Sequence, residues 1–234
     1  MNGVYKLIWD SLFFGYSVGK IDLSVADKSL LSRILNESKV RGYKLIYVFL
    51  PYSETLSDDY LREYNGLLAD VKVLYRCGIK DVDRSTVVLE EYDGCADGLY
   101  PLAYASGAYS RYLTDKNFSK EIFYRLYRKW VDNSLNKQLA DKVFVYRREE
   151  MIAGFVTLKF CENSGSIGLI AVDRAFRGAS IGSRLIDSCK RCAFNNDIKI
   201  LSVATQLNNN IACSFYEKNG FVKSQIMNIY HFWL

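Results

Sequence analysis

The residues best placed to do chemistry lie between Ser166 and Ser183. Residues 166–172 read SIGLIAV, an apolar, β-branched run bounded by turn residues, which predicts a buried strand. Ile181, Leu185, Cys189 and Ala193 then recur at helical spacing, and Ile186 widens the stripe. Between strand and helix stands Arg177-Gly178-Ala179-Ser180-Ile181-Gly182, followed by Ser183. Such a turn can hold a phosphate. The first-turn amides lack intrahelical partners, the helix dipole adds positive potential, and small side chains let an anion reach the backbone. Taken alone, the same turn also suits an ordinary strand–helix connection. A Walker A loop would end Gly-Lys-Ser/Thr, whereas this one ends Gly182-Ser183-Arg184, and the Gly-x-Gly-x-x-Gly fingerprint does not fit it.

A second stretch follows. Residues 198–205 (IKILSVAT) predict another strand, and the run from Asn209 through Ala212, Phe215, Tyr216, Glu217 and Lys218 predicts a short helix closed by Gly220. Asn209 stands where a helix N-cap would be. A tyrosine phenol with an ordinary pKa of about 10 is protonated at neutral pH, so Tyr216 can give up a proton; otherwise it packs a helix on a sheet.

Arg-x-x-Gly-x-Gly at Arg177–Gly182, with Asn-x-x-Ala…Tyr-Glu-Lys-x-Gly-Phe at Asn209–Phe221, resembles the GCN5-related N-acetyltransferases. Ser180 replaces the middle glycine of that loop. The resemblance covers residues 85–234 and implies an α/β (α+β) fold, a central mixed, mostly antiparallel sheet flanked by helices. It also implies acetyl-CoA as co-substrate, with no metal. The pyrophosphate would lie on Arg177, Gly178, Ala179, Ser180, Ile181, Gly182 and Ser183. The pantetheine arm would pair with a bulged strand at Leu169, Ile170, Ala171 and Val172 and touch Asn209. Tyr216 would be the general acid toward the coenzyme sulfur. No carboxylate stands between Gly165 and Val172 to serve as base; Glu162 and His231 are candidates by residue type alone, and a water relay suits the stretch better.

Further segments narrow the resemblance. Trp9 to Gly15, Ser110-Arg111-Tyr112 and Leu126 to Ser134 look like the bacterial TDP-fucosamine acetyltransferases, over nearly the whole chain. That likeness implies a nucleotide-linked 4-amino-4,6-dideoxy sugar as acceptor, for surface polysaccharide synthesis. Arg111 would then grip a diphosphate, and Tyr112, Trp9 or Phe14 would stack on a base. Trp9 and Phe14 would equally serve to glue two units together. The same chemistry on another amine (a peptide or protein N-terminus, a polyamine, an aminoglycoside) is a second reading. A non-catalytic acyl-CoA-binding protein, suggested by Ser180, is a third.

The positioning elements follow the chain. Residues 1–85 predict an α/β unit that extends the sheet and builds part of the acceptor site; residues 86–234 predict the catalytic domain. The first unit should hold a loop carrying Trp9, Phe13 and Phe14, a helix over residues 27–40, a strand at 43–50, a short polar helix near 56–67 and a strand at 71–76. The second should open with a strand at 87–91 and a long helix striped by Ile122, Leu126, Trp130 and Val131 and widened by Phe123 and Tyr127. A hairpin at 143–146 and 152–160 and a final aromatic strand at 226–234 complete it. That last strand is compatible with sheet extension across a homodimer.

The totals exclude little. Thirty-one Lys and Arg against 26 acids leave a net +5, which suits an anionic small molecule without a basic run to signal nucleic acid. Cys189-x-x-Cys192 falls inside a helix with His231 as the sole histidine, so the six cysteines read as free thiols, buried or half-buried, rather than metal ligands. No secretory leader and no membrane-spanning run is visible, which predicts a soluble cytoplasmic protein.

Overall fold

The computed structural model describes residues 3–79 and 89–234. They fall into two compact units, one of Met1–Val73 with Gln225–Leu234, the other of Leu74–Ser224. The division therefore lies nearer the N-terminus than residue 85, and the last ten residues return to the first unit.

In the first unit come β1 (Tyr5–Lys6), α1 (Ile8–Phe14), β2 (Ser17–Asp22), α2 (Lys28–Val40), β3 (Tyr43–Pro51), α3 (Asp58–Glu63) and the start of β4 (Gly66–Gly78). The expected loop at Trp9 is instead helix α1, ended by Gly15 in the left-handed region at φ 79°. Asp27 caps α2 by accepting from the Leu30 amide at 2.9 Å. β2 and β3 run parallel with α2 as their crossover, and β3 pairs antiparallel with β10 (Val222–Trp233). Leu31, Ile34 and Leu35 of α2 meet Ile46, Val48, Tyr230 and Phe232 in one core. β10 lies between β3 and β4, so it has no open edge. Sheet extension through the final strand is thereby corrected: both of its sides are already paired.

The second unit holds β5 (Glu90–Glu91), α4 (Tyr100–Ser106), α5 (Arg111–Thr114), α6 (Lys120–Leu135), β6 (Lys142–Arg148), β7 (Met151–Cys161), β8 (Ser164–Val172), α7 (Ile181–Asn195), β9 (Ile200–Gln206) and α8 (Asn210–Lys218). Its strand order is β4-β9-β8-β7-β6-β5. Strands β5 to β8 are antiparallel neighbours, and β8 with β9 is parallel. Of the strand expected at 87–91 only Glu90–Glu91 is seen; residues 87 and 88 lie outside the described residues. On α6 Phe123, Leu126, Tyr127 and Val131 of the widened stripe are buried, and Ile122 and Trp130 sit at its margins, half-buried. Ile181, Leu185, Ile186, Cys189 and Ala193 of α7 are all buried, as their period demands.

Cys77, Cys189, Cys192 and Cys213 are buried, whereas Cys95 and Cys161 are exposed, so the thiols are not uniformly interior. Burial pushes the Cys189 thiol well above its ordinary value, with Cys192 adding to the shift. Among the described residues no helix is long and apolar enough to cross a membrane.

Candidate functional site

The site begins where β8 and β9 part. Their parallel pairing runs from Ser164↔Ile200 to Ile167↔Val203 and stops, although β8 continues to Val172 and β9 to Gln206. On the other side of β8, Val156 pairs with Ile170 and Leu158 with Ile167, so Gly168 and Leu169 together face the single residue Thr157. That is a β-bulge. The buried Thr157 hydroxyl accepts from the Leu169 amide at 2.8 Å, in the place of a ladder carbonyl. A Cβ on Gly168 would stand 2.9 Å from that same oxygen, which is why the bulge needs a glycine.

Beyond the bulge the Asp173 amide donates to the Ala153 carbonyl at 2.8 Å. Antiparallel alternation then turns the amides and carbonyls of Ile170 and Val172 away from β7, toward the gap left by β9. Leu169 and Ala171 bury their side chains, while Ile170 and Val172 are half-buried. The strand thus offers backbone polar groups along an open edge, a surface fit for an extended amide-bearing chain.

The loop continues from that edge. Asp173 accepts from the Ala175 amide at 2.8 Å and starts a single 3-10 turn, Arg174–Phe176. Arg177 turns back, its Nε donating to the Val172 carbonyl at 3.2 Å. Gly178 has φ 84° and Ser180 has φ 58°, both left-handed. The non-glycine residue at that φ is the one that departs from the glycine pattern. Ser180 stands at the N-cap of α7 without a side-chain cap bond, so Ile181, Gly182 and Ser183 keep amides that no intrahelical carbonyl reaches. A Cβ on Gly182 would come within 2.9 Å of the Phe215 ring. An alanine there would gain about 1 kcal/mol in helix propensity, so space, not propensity, explains the glycine. Arg184, one turn into α7, lies over the Tyr146 ring at 5.6 Å. These groups fit a pyrophosphate: amides at a helix start, a nearby guanidinium and no side chain in the way.

α8 carries the second set. Asn209 accepts from the Ala212 amide at 3.2 Å and is the N-cap, leaving its own amide group as a donor. Tyr216 is 4% exposed, with ring centroids 5.3 Å from Phe215, 5.7 Å from Tyr75 and 5.9 Å from Phe221. Burial, with Cys213 adding, pushes its phenol well above the ordinary tyrosine value, so it holds its proton throughout the neutral range.

The remaining candidates are less suited to the roles given them by type. Arg111 opens α5 and spends one nitrogen on the Tyr112 hydroxyl at 2.8 Å, its guanidinium 4.9 Å from the Tyr112 ring. Tyr112 is 7% exposed and hemmed by Phe118 and Trp130, so its ring is a support for Arg111 and not a platform for a base. Phe14 stacks on Tyr16, which meets Trp233, all within the first unit. Trp9 stacks on Phe13 at 5.2 Å and stays 40% exposed. His231 is fully buried against Tyr47, which removes it as a base open to solvent. Glu162 sits in the exposed β7–β8 turn, about 25 Å along β8 from Val172.

Gly168, Thr157 and Phe215 are site-building residues that residue type alone did not single out. An isolated glycine inside a strand pattern is a bulge signal, and Gly168 carries it. Nothing in the local sequence announces the pairing of Phe215 with Gly182, which is made by two distant helices.

A strand opened beside its parallel neighbour, a bulge, and a helix start with exposed amides together define an acyltransferase fold. Residues 105–221, half of the chain, match the family model described as Acetyltransferase (GNAT) family. The chain belongs to that family, and the family uses acetyl-CoA. A curated relative is the spore coat polysaccharide biosynthesis protein SpsD of Bacillus subtilis (strain 168), 26% identical over 140 residues. The match covers 60% of this chain and 48% of that one, so the chain spans about half the length of the curated relative it matches. Among solved structures, a functionally unknown conserved protein from Staphylococcus epidermidis ATCC 12228 superposes with a TM-score of 0.65 at 14% identity, covering 93% of this chain and 84% of that one. A GCN5-related N-acetyltransferase from Sphaerobacter thermophilus gives 0.55 at 9% identity, covering 92% and 72%. Both likenesses are of fold.

Proposed function

We propose that this acetyltransferase moves an acetyl group from acetyl-CoA to the amino group of a nucleotide-activated sugar. A TDP-linked 4-amino-4,6-dideoxy sugar is the acceptor we favour, in the synthesis of a surface polysaccharide. The observation that carries the transfer itself is the open edge of β8 after Ile167, with the bulge at Gly168 and the amide-rich start of α7 beyond it. The sugar class is supported by the segments Trp9 to Gly15, Ser110 to Tyr112 and Leu126 to Ser134, and by a curated relative of polysaccharide biosynthesis.

In this reading acetyl-CoA supplies a thioester. The acceptor nitrogen, once it has lost its ammonium proton to water, adds to the acyl carbon to give a tetrahedral oxyanion. The carbon–sulfur bond then breaks, and the second proton of the nitrogen returns, through water, to the Tyr216 phenolate that protonating the sulfur leaves. A backbone N–H of the opened β8 edge stabilises the oxyanion. Tyr216 gives its proton to the departing sulfur, and its buried, high-pKa phenol suits a donor that must be protonated at neutral pH. Arg177 and the amides of Gly178 to Ser183 hold the pyrophosphate, and the Ile170 and Val172 edge with Asn209 holds the pantetheine arm. Arg111, braced by Tyr112, is offered as an acceptor contact. We also propose residues 86–234 as the catalytic part and residues 1–85 as a contributor to acceptor choice.

The test is thiol release from acetyl-CoA with TDP-linked 4-amino-4,6-dideoxyglucose, its galactose epimer, UDP-linked counterparts and simple amines. Turnover confined to one nucleotide sugar is the expected result. Turnover on simple amines or peptides alone would remove the sugar reading and keep the transfer chemistry. Acetyl-CoA binding without turnover on any amine would remove the catalytic reading.

A further inference from the structure

Helix α8 is short, Asn210–Lys218, and only Cys213 and Tyr216 on it are buried. Two buried side chains, with the half-buried Phe215 near Gly182, hold the helix in place but form a narrow stripe that only partly fixes its roll about its own axis. Residues along an α-helix are set about 100° apart, so a small roll swings the Tyr216 hydroxyl through an arc. Something else must set that angle if the hydroxyl is to meet a sulfur atom at bonding distance.

Glu217, the residue after Tyr216, is clamped from two strands. The Tyr75 hydroxyl of β4 donates to its Oε1 at 3.0 Å, and Lys223 Nζ at the start of β10 lies 3.1 Å from the same oxygen. Tyr75 is wholly buried, and its ring also flanks Tyr216 at 5.7 Å. Burial first, then its hydrogen bonds with Cys213 and Glu217, raise the Tyr75 phenol far above the ordinary value, so it is a permanent donor. Glu217 is shifted the opposite way, first by Lys223 and then by Tyr75, so it is a permanent acceptor. Neither partner changes state near neutral pH. The clamp is a fixed strut between β4 and α8.

We propose that Tyr75, acting through Glu217, is the positioning residue that fixes the roll of α8 and thereby aims the Tyr216 hydroxyl. The proposal rests on Tyr216 being the general acid. Tyr75 lies outside the two motifs that announce the family, and a tyrosine between Leu74 and Arg76 in a strand carries no signal of its own.

The test uses the full chain, thiol release from acetyl-CoA, and TDP-linked 4-amino-4,6-dideoxyglucose or whichever amine of the panel turns over. Tyr75→Phe keeps the ring beside Tyr216 and removes the strut. It should lower kcat about tenfold and leave the KM for acetyl-CoA within about twofold. Glu217→Gln keeps an acceptor for Tyr75 and should retain most of the activity that Glu217→Ala loses. Added to Tyr216→Phe, the Tyr75→Phe change should cost nothing further, since a strut with no hydroxyl to aim has no catalytic effect. A loss that adds fully in the double variant, or a lower melting temperature with kcat unchanged, would overturn the positioning role. A silent Tyr216→Phe would remove the acid and its strut together. A large loss in Tyr216→Phe with none in Tyr75→Phe would remove the strut alone.

Discussion

Two helices begin within forty residues of each other in the second unit, and their first turns are treated in opposite ways. At α8 the chain closes its own helix start, with Asn209 Oδ1 accepting from the Ala212 amide. At α7 it does not: Ser180 takes a left-handed backbone and makes no cap bond. Leaving out a side-chain cap costs a helix about 1 kcal/mol, and a non-glycine residue in the left-handed region costs a similar amount. α7 therefore begins in a way that folding alone would disfavour. The difference is where the proposed reading puts its ligand: one helix start is finished by the protein, and the other is the one proposed to be finished by an anion. The proposed chemistry uses both, with the open start for the pyrophosphate and the capped helix for the acid.

The strongest way to break the comparison is to fill the open start. Gly182→Val puts a branched side chain in the first turn of α7, with a Cβ that would press on Phe215, 2.9 Å away, and so displaces the amides proposed to meet the phosphate. Losing two charge-assisted backbone bonds predicts a rise in the acetyl-CoA dissociation constant of about a hundredfold, read by calorimetry on a variant whose circular dichroism is unchanged. An unaltered dissociation constant would mean that the α7 start holds no phosphate, and the contrast with α8 would lose its functional meaning.

How much of this contrast could be read before the structure depends on the range over which each feature is built. The loop and both helices are local, and so Arg177 to Ser183, the α7 stripe and Asn209 to Gly220 are legible in the sequence. The left-handed φ of Ser180 is legible too, as the position where the pattern has glycine. The strand opening after Ile167 is not, because it depends on which residues of β9 face β8. The bulge was half visible, since Gly168 interrupts the apolar run but Thr157, its partner, lies eleven residues earlier. Burial is not legible in residue type: Tyr112, expected to stack on a base, is hemmed by Phe118 and Trp130, while His231, a base candidate by type alone, is buried against Tyr47. Helix α1 was missed because a seven-residue segment with no buried side chain has no stripe to detect.

A smaller effect sharpens the other half of the comparison. Asn209 can serve two ends, with its oxygen capping α8 and its amide reaching a ligand. Asn209→Asp keeps the oxygen and should keep or slightly raise stability, because a carboxylate at a helix start is favoured by the dipole. The same change should weaken acetyl-CoA binding about fivefold, through loss of one donor. Asn209→Ala should lose both, with about 1 kcal/mol of stability going with the cap. If Asn209→Asp binds acetyl-CoA as well as the parent protein, the residue is a cap alone, and α8 is wholly self-contained.

The smallest effect concerns Ser180 itself. Replacing it by glycine relieves the left-handed strain in the folded state, while glycine's greater freedom in the unfolded chain offsets part of that gain. The net stabilisation should be about 0.5 kcal/mol, seen as a rise in melting temperature of one or two degrees, about what such a difference produces in a chain of this size. Acetyl-CoA affinity should stay within about twofold, because strain relieved equally in the free and the bound protein cancels from the binding equilibrium. A fall in affinity would show instead that the Ser180 hydroxyl itself touches the phosphate, and that the departure from glycine supplies a donor where the backbone had given only room.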